Sequence, residues 1–172
     1  VVSSAASDVY KRQIISVSNQ KGGVGKTTTA LSLSAALGVQ EKKVLLIDMD
    51  PQSNATSGLG VDSNEAILSS YDLIIGNAKA SNIVIQTSSP NLDLIPAKID
   101  LVGLEIEIVN ESSREYLLKN ALEKIKEKYD FIIIDCPPSL GLITLNALTC
   151  SNSVIIPIPV SYTHLRAHET EY

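Results

Sequence analysis

The chain is poor in several features that would point to specialised folds. Tryptophan is absent, phenylalanine occurs once, and aromatic residues make up 4% of the 172 residues. The two cysteines are too few for the disulfide framework of a small secreted domain. No apolar run reaches the roughly 18 residues of a membrane-spanning helix, and the first residues lack the pattern of a secretory signal. These absences favour a cytoplasmic domain with an aliphatic core.

Charge is limited as well. The chain carries 14 Lys and Arg against 19 Asp and Glu, a formal net charge of −5. This balance argues against a generally basic surface for nucleic acids. Hydrophobic residues at 44% and charged residues at 19% are values typical of a soluble globular protein. The length allows one domain with a sizeable core.

A glycine-rich segment at residues 19–29, NQKGGVGKTTT, is the most informative part of the chain. It lies between an apolar run at residues 14–17, which predicts a strand, and residues 30–37, which predict a helix. This order of strand, glycine loop, Gly-Lys-Thr and helix is the setting of a phosphate-binding loop (P-loop). Glycines let successive N–H groups converge on phosphate oxygens, and the helix N-terminus adds donors and partial positive charge. The segment therefore predicts a nucleotide site.

Individual residues of this loop have distinct expected roles. Lys26 can reach the β- and γ-phosphates of ATP, and the Thr27 hydroxyl can ligate Mg²⁺. The common P-loop pattern has a glycine five residues before the glycine of Gly-Lys-Thr, and Gln20 occupies that position here. A second lysine, Lys21, opens the loop. Lys21 can point towards a nucleotide held by a second copy, as an arginine finger does, or it is a solvated loop cation. The expected nucleotide-binding residues are Gln20, Lys21, Gly22, Gly23, Val24, Gly25, Lys26, Thr27 and Thr28.

Carboxylates follow two further apolar runs. Asp135 ends the run at residues 131–134, where an unpaired carboxylate would be costly to bury. Beside the loop it can accept a hydrogen bond from Thr27 or from a water bound to Mg²⁺; the alternative is a cap for the next helix. Asp48 and Asp50 follow the run at residues 44–47, two residues apart on one side of the strand end.

Three ordered segments carry a family resemblance. The loop resembles the deviant Walker A motif of the ParA/MinD group of P-loop ATPases. Residues 43–60, KVLLIDMDPQSNATSGLG, are similar to the second motif of the ParA/Soj branch. Residues 130–141, DFIIIDCPPSLG, resemble its Walker B strand and switch loop, and residues 146–148 match the helix that follows.

The resemblance assigns roles to the remaining carboxylates. It implies that Asp50 helps to position the attacking water and that Asp48 lies near the metal, although one of them could instead be a turn former before Pro51. The expected catalytic residues are Lys21, Lys26 and Asp50. The expected metal-site residues are Thr27, Asp48 and Asp135.

The resemblance also implies partners. A ParA/Soj-type ATPase forms an ATP-dependent homodimer, binds DNA non-specifically on the nucleoid, and is stimulated by a ParB-type protein. The family's basic DNA contacts fall largely beyond residue 158, so we expect them to be missing here. One alternative is a membrane-associated division-site ATPase of the MinD type, which would need a C-terminal amphipathic helix. Another is an electron-transfer protein like the nitrogenase iron protein, whose pattern Cys136 and Cys150 match poorly.

The resemblance covers residues 14–158, which we expect to be a P-loop ATPase domain lacking its C-terminal part. Residues 1–13 and 159–172 resemble translated sequencing-adapter read-through and are expected to be foreign to the domain. A competing interpretation is that such a piece cannot complete its sheet and aggregates through an apolar edge after residues 154–156.

The overall pattern predicts an α/β fold with a mostly parallel, twisted sheet flanked by helices. A strand is predicted at residues 14–18, and continuous apolar runs typical of strands buried on both faces occur at residues 44–47, 131–134 and 154–156. Weaker strands are predicted at residues 83–86 and 92–95, and helices at residues 27–37, 64–75, 99–109 and 113–129. Ligands of such sheets bind at the carboxyl ends of the strands, where all three motifs fall.

Overall fold

A computed structural model of the chain describes residues 12–159. The segments expected to be foreign therefore lie outside the described residues, apart from positions 12, 13 and 159. The described part forms a six-stranded sheet with helices on both faces, which confirms the predicted fold class. Its strands are β1 (Gln13–Val17), β2 (Val44–Asp48), β3 (Ile85–Gln86), β4 (Leu92–Ile95), β5 (Phe131–Asp135) and β6 (Ser153–Ile155).

The strand order is β3-β4-β2-β5-β1-β6. All pairs are parallel except β3 with β4, which is antiparallel. The helices are α1 (Lys26–Val39), α2 (Asn54–Gly58), α3 (Ser70–Ile74), α4 (Ala80–Ile83), α5 (Leu101–Glu107), α6 (Leu117–Leu122) and α7 (Leu142–Cys150). Short 3₁₀ turns occupy Ile108–Asn110, Arg114–Tyr116 and Lys126–Lys128.

Two hydrophobic clusters lie on opposite faces of the sheet. Along β2, Leu45 and Ile47 belong to the cluster shared with α3, α5, α6 and α7, whereas Val44 and Leu46 belong to the cluster shared with α1 and α2. All five residues of β2 are buried. Helices thus cover both faces of the central strands, because successive side chains of a strand alternate between faces.

The prediction that residues 154–156 are buried on both faces is wrong. β6 pairs with β1 and ends the sheet within the described residues, so Val154 is 42% exposed and Ile156 60% exposed. Ile155 packs partly against the cluster beneath α1. The apolar run marks an edge strand with one covered side, which hydrophobicity alone does not distinguish from a central strand.

Two predicted elements are shorter than expected. The helix expected at residues 64–75 begins only at Ser70, because the Ser69 hydroxyl and the Asp72 carboxylate form a reciprocal capping box there. The strand expected at residues 83–86 is confined to Ile85–Gln86, since the residues before it form α4. The Ser-x-x-Asp spacing was the signal that could have placed the start of α3.

The helix predicted at residues 113–129 is interrupted before Leu117 and again after Leu122, and Asn146 explains the first interruption. A continuous α-helix would pair the Leu118 N–H with the Arg114 carbonyl, four residues earlier. Instead the Asn146 side chain lies between them: its Oδ1 accepts from the Leu118 N–H at 3.0 Å and its Nδ2 donates to the Arg114 carbonyl at 2.8 Å. Asn146 is fully buried on α7 and also donates to the Leu142 carbonyl at 2.9 Å. This side chain joins α7 to the turn before α6.

Asn146→Ala should lower the free energy of unfolding by about 1–3 kcal/mol, because it removes the partners of buried backbone groups. Urea denaturation of wild type and variant measures the difference. The control is Asn120→Ala, at an exposed position on α6, which should have little effect. Equal midpoints for the two variants would contradict the bridging role of Asn146.

Candidate nucleotide site

The three motifs converge at the carboxyl ends of three neighbouring strands. The glycine loop follows β1, Asp50 lies two residues after β2, and Asp135 ends β5. The register pairs Asp135 with Val17 of β1 on one side and with Asp48 of β2 on the other. Because β5 lies between β1 and β2, its terminal carboxylate is central to the site.

The loop has the conformation of an anion cradle. Gly23 and Gly25 have φ angles of +72° and +85°, which residues with a Cβ rarely adopt. α1 begins at Lys26 without a side-chain cap and without an acidic residue in its first turn. The free N–H groups and the positive end of the helix dipole therefore face the loop without compensation, as at phosphate-binding sites.

A groove of about 440 Å³ lies over this loop. Most of the predicted nucleotide-binding residues line it, together with residues from the second and third motifs. Gln20 and Lys21 are exposed beside the groove, whereas Val24 is buried beneath the loop. The groove is lined by Gly22, Gly23, Gly25, Lys26, Thr27, Thr28, Asp50, Gln52, Asn54 and Pro138.

Lys26 folds back over the loop. Its Nζ donates to the carbonyl of Lys21 at 3.1 Å, and only 7% of the residue is exposed. The ammonium group is thus held at the groove by the loop's own backbone, where an anionic ligand would meet it. Lys21 itself is exposed, as a residue that reaches a second molecule must be.

Asp135 is fully buried and joins β5 to α1. Its Oδ2 accepts a hydrogen bond from the Thr27 hydroxyl at 2.7 Å, while its Oδ1 has no partner. Burial, together with the nearby charges of Asp48 and Asp50, raises the pKa of this carboxyl to about 7, although the hydrogen bond from Thr27 acts in the opposite direction. A buried carboxylate oxygen without a donor is uncommon and calls for an explanation.

A cation beside Thr27 would supply that explanation. The Thr27 hydroxyl uses its hydrogen towards Asp135, which leaves its lone pairs available to a hard cation such as Mg²⁺. Within residues 12–159, no group of three or more His, Cys, Asp or Glu side chains forms a metal cage. Mg²⁺ keeps several waters and is commonly held jointly by one or two protein groups and substrate phosphates, and the Thr27 hydroxyl can serve as one such protein group.

Asp48, which is predicted to lie near the metal, is held by several hydrogen bonds. It is fully buried, its Oδ2 accepts from both the N–H and the hydroxyl of Thr56, and its Oδ1 accepts from the Asp50 N–H. Thr56 Oγ1 in turn accepts from the Ala97 N–H at 3.0 Å. Burial raises the pKa of Asp48 to about 6. These contacts hold the segment that carries Asp50, and a role in the metal site stays a prediction.

Asp50 lies in the groove lining, 7% exposed, with its Oδ1 accepting from the Gln52 N–H at 2.9 Å. The hydrogen bond turns the chain so that Gln52 and Asn54 also reach the groove. Placement beside the loop agrees with the predicted catalytic role of Asp50, which stays a prediction.

Residue-type reasoning missed two side chains that shape the site. Thr56 holds the Asp48 carboxylate, and Asn19 links the loop to the segment after β6 by accepting from the Lys21 N–H and donating to the Pro157 carbonyl. Both bond to residues distant in sequence or to backbone groups. Neither role has a spacing pattern that could have revealed it.

The fold and the glycine loop together define a P-loop NTPase with a second lysine in its phosphate loop. A family model described as AAA domain matches residues 12–169, and the chain belongs to that family, in its ParA/Soj branch. It is 55% identical over 150 residues to the sporulation initiation inhibitor protein Soj of Bacillus subtilis, covering 87% of this chain and 59% of Soj. It is 48% identical over 150 residues to the chromosome partitioning protein ParA of Myxococcus xanthus, covering 87% of this chain and 53% of that protein.

A solved structure supports the same fold. Cobyrinic acid a,c-diamide synthase from Mycobacterium smegmatis, with a bound ATP analog and magnesium, superimposes with a TM-score of 0.83 at 44% identity. The match covers 85% of this chain and 59% of that one. The chain thus spans between about half and three fifths of the length of these proteins.

None of the described helices is long and apolar enough to cross a bilayer.

The buried carboxylates predict a pH dependence of stability. The pKa values of Asp48 and Asp135 are raised to about 6 and about 7, from 3.8. Between about pH 4 and pH 7, the folded protein therefore binds more protons than the unfolded chain. The stability that these two carboxyl groups contribute is present below about pH 4 and is lost as the pH rises to about 7.

Asp135→Asn should remove much of this dependence and raise the free energy of unfolding at pH 8, without nucleotide, by on the order of 1–3 kcal/mol. Urea denaturation from pH 4 to pH 8 measures it. Asp100→Asn, at an exposed position, is the control and should leave the profile unchanged. A variant less stable than wild type at pH 8 would contradict the cost assigned to the buried charge.

Proposed function

We propose that this chain is the ATP-binding part of a DNA partitioning ATPase. The observation that carries the proposal is the contact between the Thr27 hydroxyl and the buried Asp135. It lies where the phosphate loop meets α1, whose N-terminus has no side-chain cap. This is the arrangement expected for MgATP. The names of the Soj and ParA relatives supply the biological role.

The phosphates of ATP would lie on the N–H groups of the loop and of the first turn of α1, with Lys26 beside them. Mg²⁺ would be held by Thr27, with Asp135 fixing the hydroxyl and accepting from a metal-bound water. The metal would supply positive charge against the phosphate oxygens. The protein's contribution is a fixed, partly buried set of donors that needs little rearrangement.

Hydrolysis would depend on Asp50. Its carboxylate reaches the groove and is positioned by the Gln52 N–H, so it can orient a water beside the terminal phosphate. Asp48 would act indirectly, because its hydrogen bonds to the Asp50 and Thr56 N–H groups hold the segment that carries Asp50 in place. Gln52 and Asn54 share the groove and would contact the ligand or a second subunit.

Two copies would close face to face over ATP, with Lys21 of each reaching the nucleotide of the other. Lys21 is exposed beside the groove, whereas the Lys26 side chain donates a hydrogen bond to the loop of its own subunit. A site completed in this way hydrolyses slowly until dimerisation occurs. The homodimer would be the active form.

The remaining partners follow from the family. A ParB-type protein would stimulate hydrolysis, and the complete protein would bind DNA non-specifically in the cytoplasm, on the nucleoid. Fold alone does not decide the reaction, since the M. smegmatis protein has a synthase activity in its name. The Soj and ParA relatives favour partitioning over that activity and over the MinD-type alternative.

Nucleotide binding is tested by thermal unfolding with and without MgATP. Ligand at 100 times its dissociation constant adds roughly 2.7 kcal/mol, which should raise the midpoint by roughly 5–10 °C for a domain of this size. Lys26→Ala should abolish the rise, and Lys42→Ala, at an exposed position after α1, should keep it. A cooperative transition that MgATP does not move would contradict ATP binding by this chain.

The role of Lys21 across the dimer is tested by sedimentation with MgATP in the background of Asp50→Ala, which should slow hydrolysis. Lys21→Ala should bind ATP as a monomer, because its side chain lies outside the groove, but should lose ATP-dependent dimerisation. Lys42→Ala again serves as control. Normal dimerisation of Lys21→Ala would rule out the action in trans while leaving ATP binding intact.

A further inference from the structure

Asn19 makes two hydrogen bonds that join the phosphate loop to the edge of the sheet. Its Oδ1 accepts from the Lys21 N–H at 2.9 Å, and its Nδ2 donates to the Pro157 carbonyl at 2.8 Å. Asn19 and Pro157 lie 138 residues apart in sequence, on the chain segments that continue β1 and β6. One amide group therefore connects the start of the loop with the segment beyond the edge strand.

The contact places Lys21 between two fixed groups. Its N–H is held by Asn19, and its carbonyl accepts from the Lys26 Nζ at 3.1 Å. The Lys21 side chain is exposed, so these backbone bonds are what the structure offers to fix its direction. Loss of the Asn19 bond would leave the first residues of the loop attached through Lys26 alone.

We propose that Asn19 is a positioning residue for the phosphate loop, which sets the direction of Lys21 by tying its backbone to the segment after β6. It acts through Lys21 and does not itself line the groove. The part of this inference that concerns dimerisation rests on the proposed in-trans role of Lys21. The part that concerns the loop's geometry does not.

The choice of asparagine has a chemical reason. The position needs an acceptor for the Lys21 N–H and a donor for the Pro157 carbonyl, and an amide side chain carries both. An ionised aspartate of the same shape keeps the acceptor and loses the donor. Asn19→Asp thus separates the two bonds, whereas Asn19→Ala removes both.

Asn152 provides a matched control at the opposite end of the same strand pair. Its Oδ1 accepts from the Ile14 N–H at 2.8 Å, and β1 pairs with β6 between the two asparagines. Asn152→Ala removes a side-chain bond to the same strand, far from the loop. Comparing Asn19→Ala with Asn152→Ala therefore separates an effect on the loop from a general loss of stability.

The first readout is the amide exchange rate of Lys21, measured by NMR on the full chain without nucleotide. Asn19→Ala should speed exchange at Lys21 by about fivefold, the effect of losing a hydrogen bond of ordinary net strength. Asn19→Asp and Asn152→Ala should leave it slow. Equal rates at Lys21 in wild type and Asn19→Ala, or fast exchange in Asn19→Asp, would overturn the inference. If Asn19→Ala fails to fold, Asn19→Asp replaces it in the dimerisation assay below, where loss of the bond to Pro157 should weaken dimerisation and an unchanged value would overturn the inference.

The second readout is ATP-dependent dimerisation by sedimentation, with Lys21→Ala measured in parallel. We expect Asn19→Ala to weaken dimerisation by about fivefold, with MgADP affinity of the monomer reduced less, and Asn152→Ala to match wild type. If Lys21→Ala loses dimerisation but Asn19→Ala does not, the inference fails and the proposed function stands. If Lys21→Ala dimerises normally, the in-trans role fails, and the exchange rate at Lys21 still decides the role of Asn19.

Discussion

The site depends on one hydrogen bond between a hydroxyl and a buried carboxylate. Thr27 at the start of α1 donates to Asp135 at the end of β5, and the other oxygen of Asp135 has no partner among the described residues. Leaving that oxygen without a donor costs free energy, and burial raises the pKa of the carboxyl. Under the proposed function, Mg²⁺ held at Thr27 would offset this cost. The same contact fixes α1 against the sheet and thereby aims the free N–H groups of its first turn at the groove.

Around this contact, buried and half-buried polar side chains join separate segments of the chain. Asp48 holds the backbone of Thr56 and Asp50, Asn19 holds the loop against the segment after β6, and Asn146 holds α7 against the turn before α6. A hydrogen bond in a low-dielectric interior is strong and directional, and an unmade one is costly. Such side chains therefore specify which loops lie together, whereas the apolar core specifies which faces are covered.

Local patterns predicted the central elements well. The continuous apolar runs of β2 and β5 indicated strands covered on both faces, and the glycine loop between strand and helix indicated α1 and its phosphate site. Prediction failed where a distant group competes with the local pattern. The helix expected at residues 113–129 is broken before α6 because Asn146 takes up backbone groups that would otherwise bond to each other. The apolar run of β6 is an edge strand because pairing, which hydrophobicity does not encode, leaves one side open within the described residues.

The amino-acid sequence by itself determined the chemistry available to this protein: glycines that permit positive φ angles, a lysine and a threonine at a helix start, and carboxylates at strand ends. These follow from local backbone geometry and residue type, which sequence expresses directly. The tertiary structure alone decided which groups each carboxylate contacts. Asp135 accepts a hydrogen bond from Thr27, and Asp50 lines the groove. Asp48 accepts hydrogen bonds from Thr56 and from the Asp50 N–H. Strand order and register bring these groups together, and both arise from contacts between residues far apart in the chain.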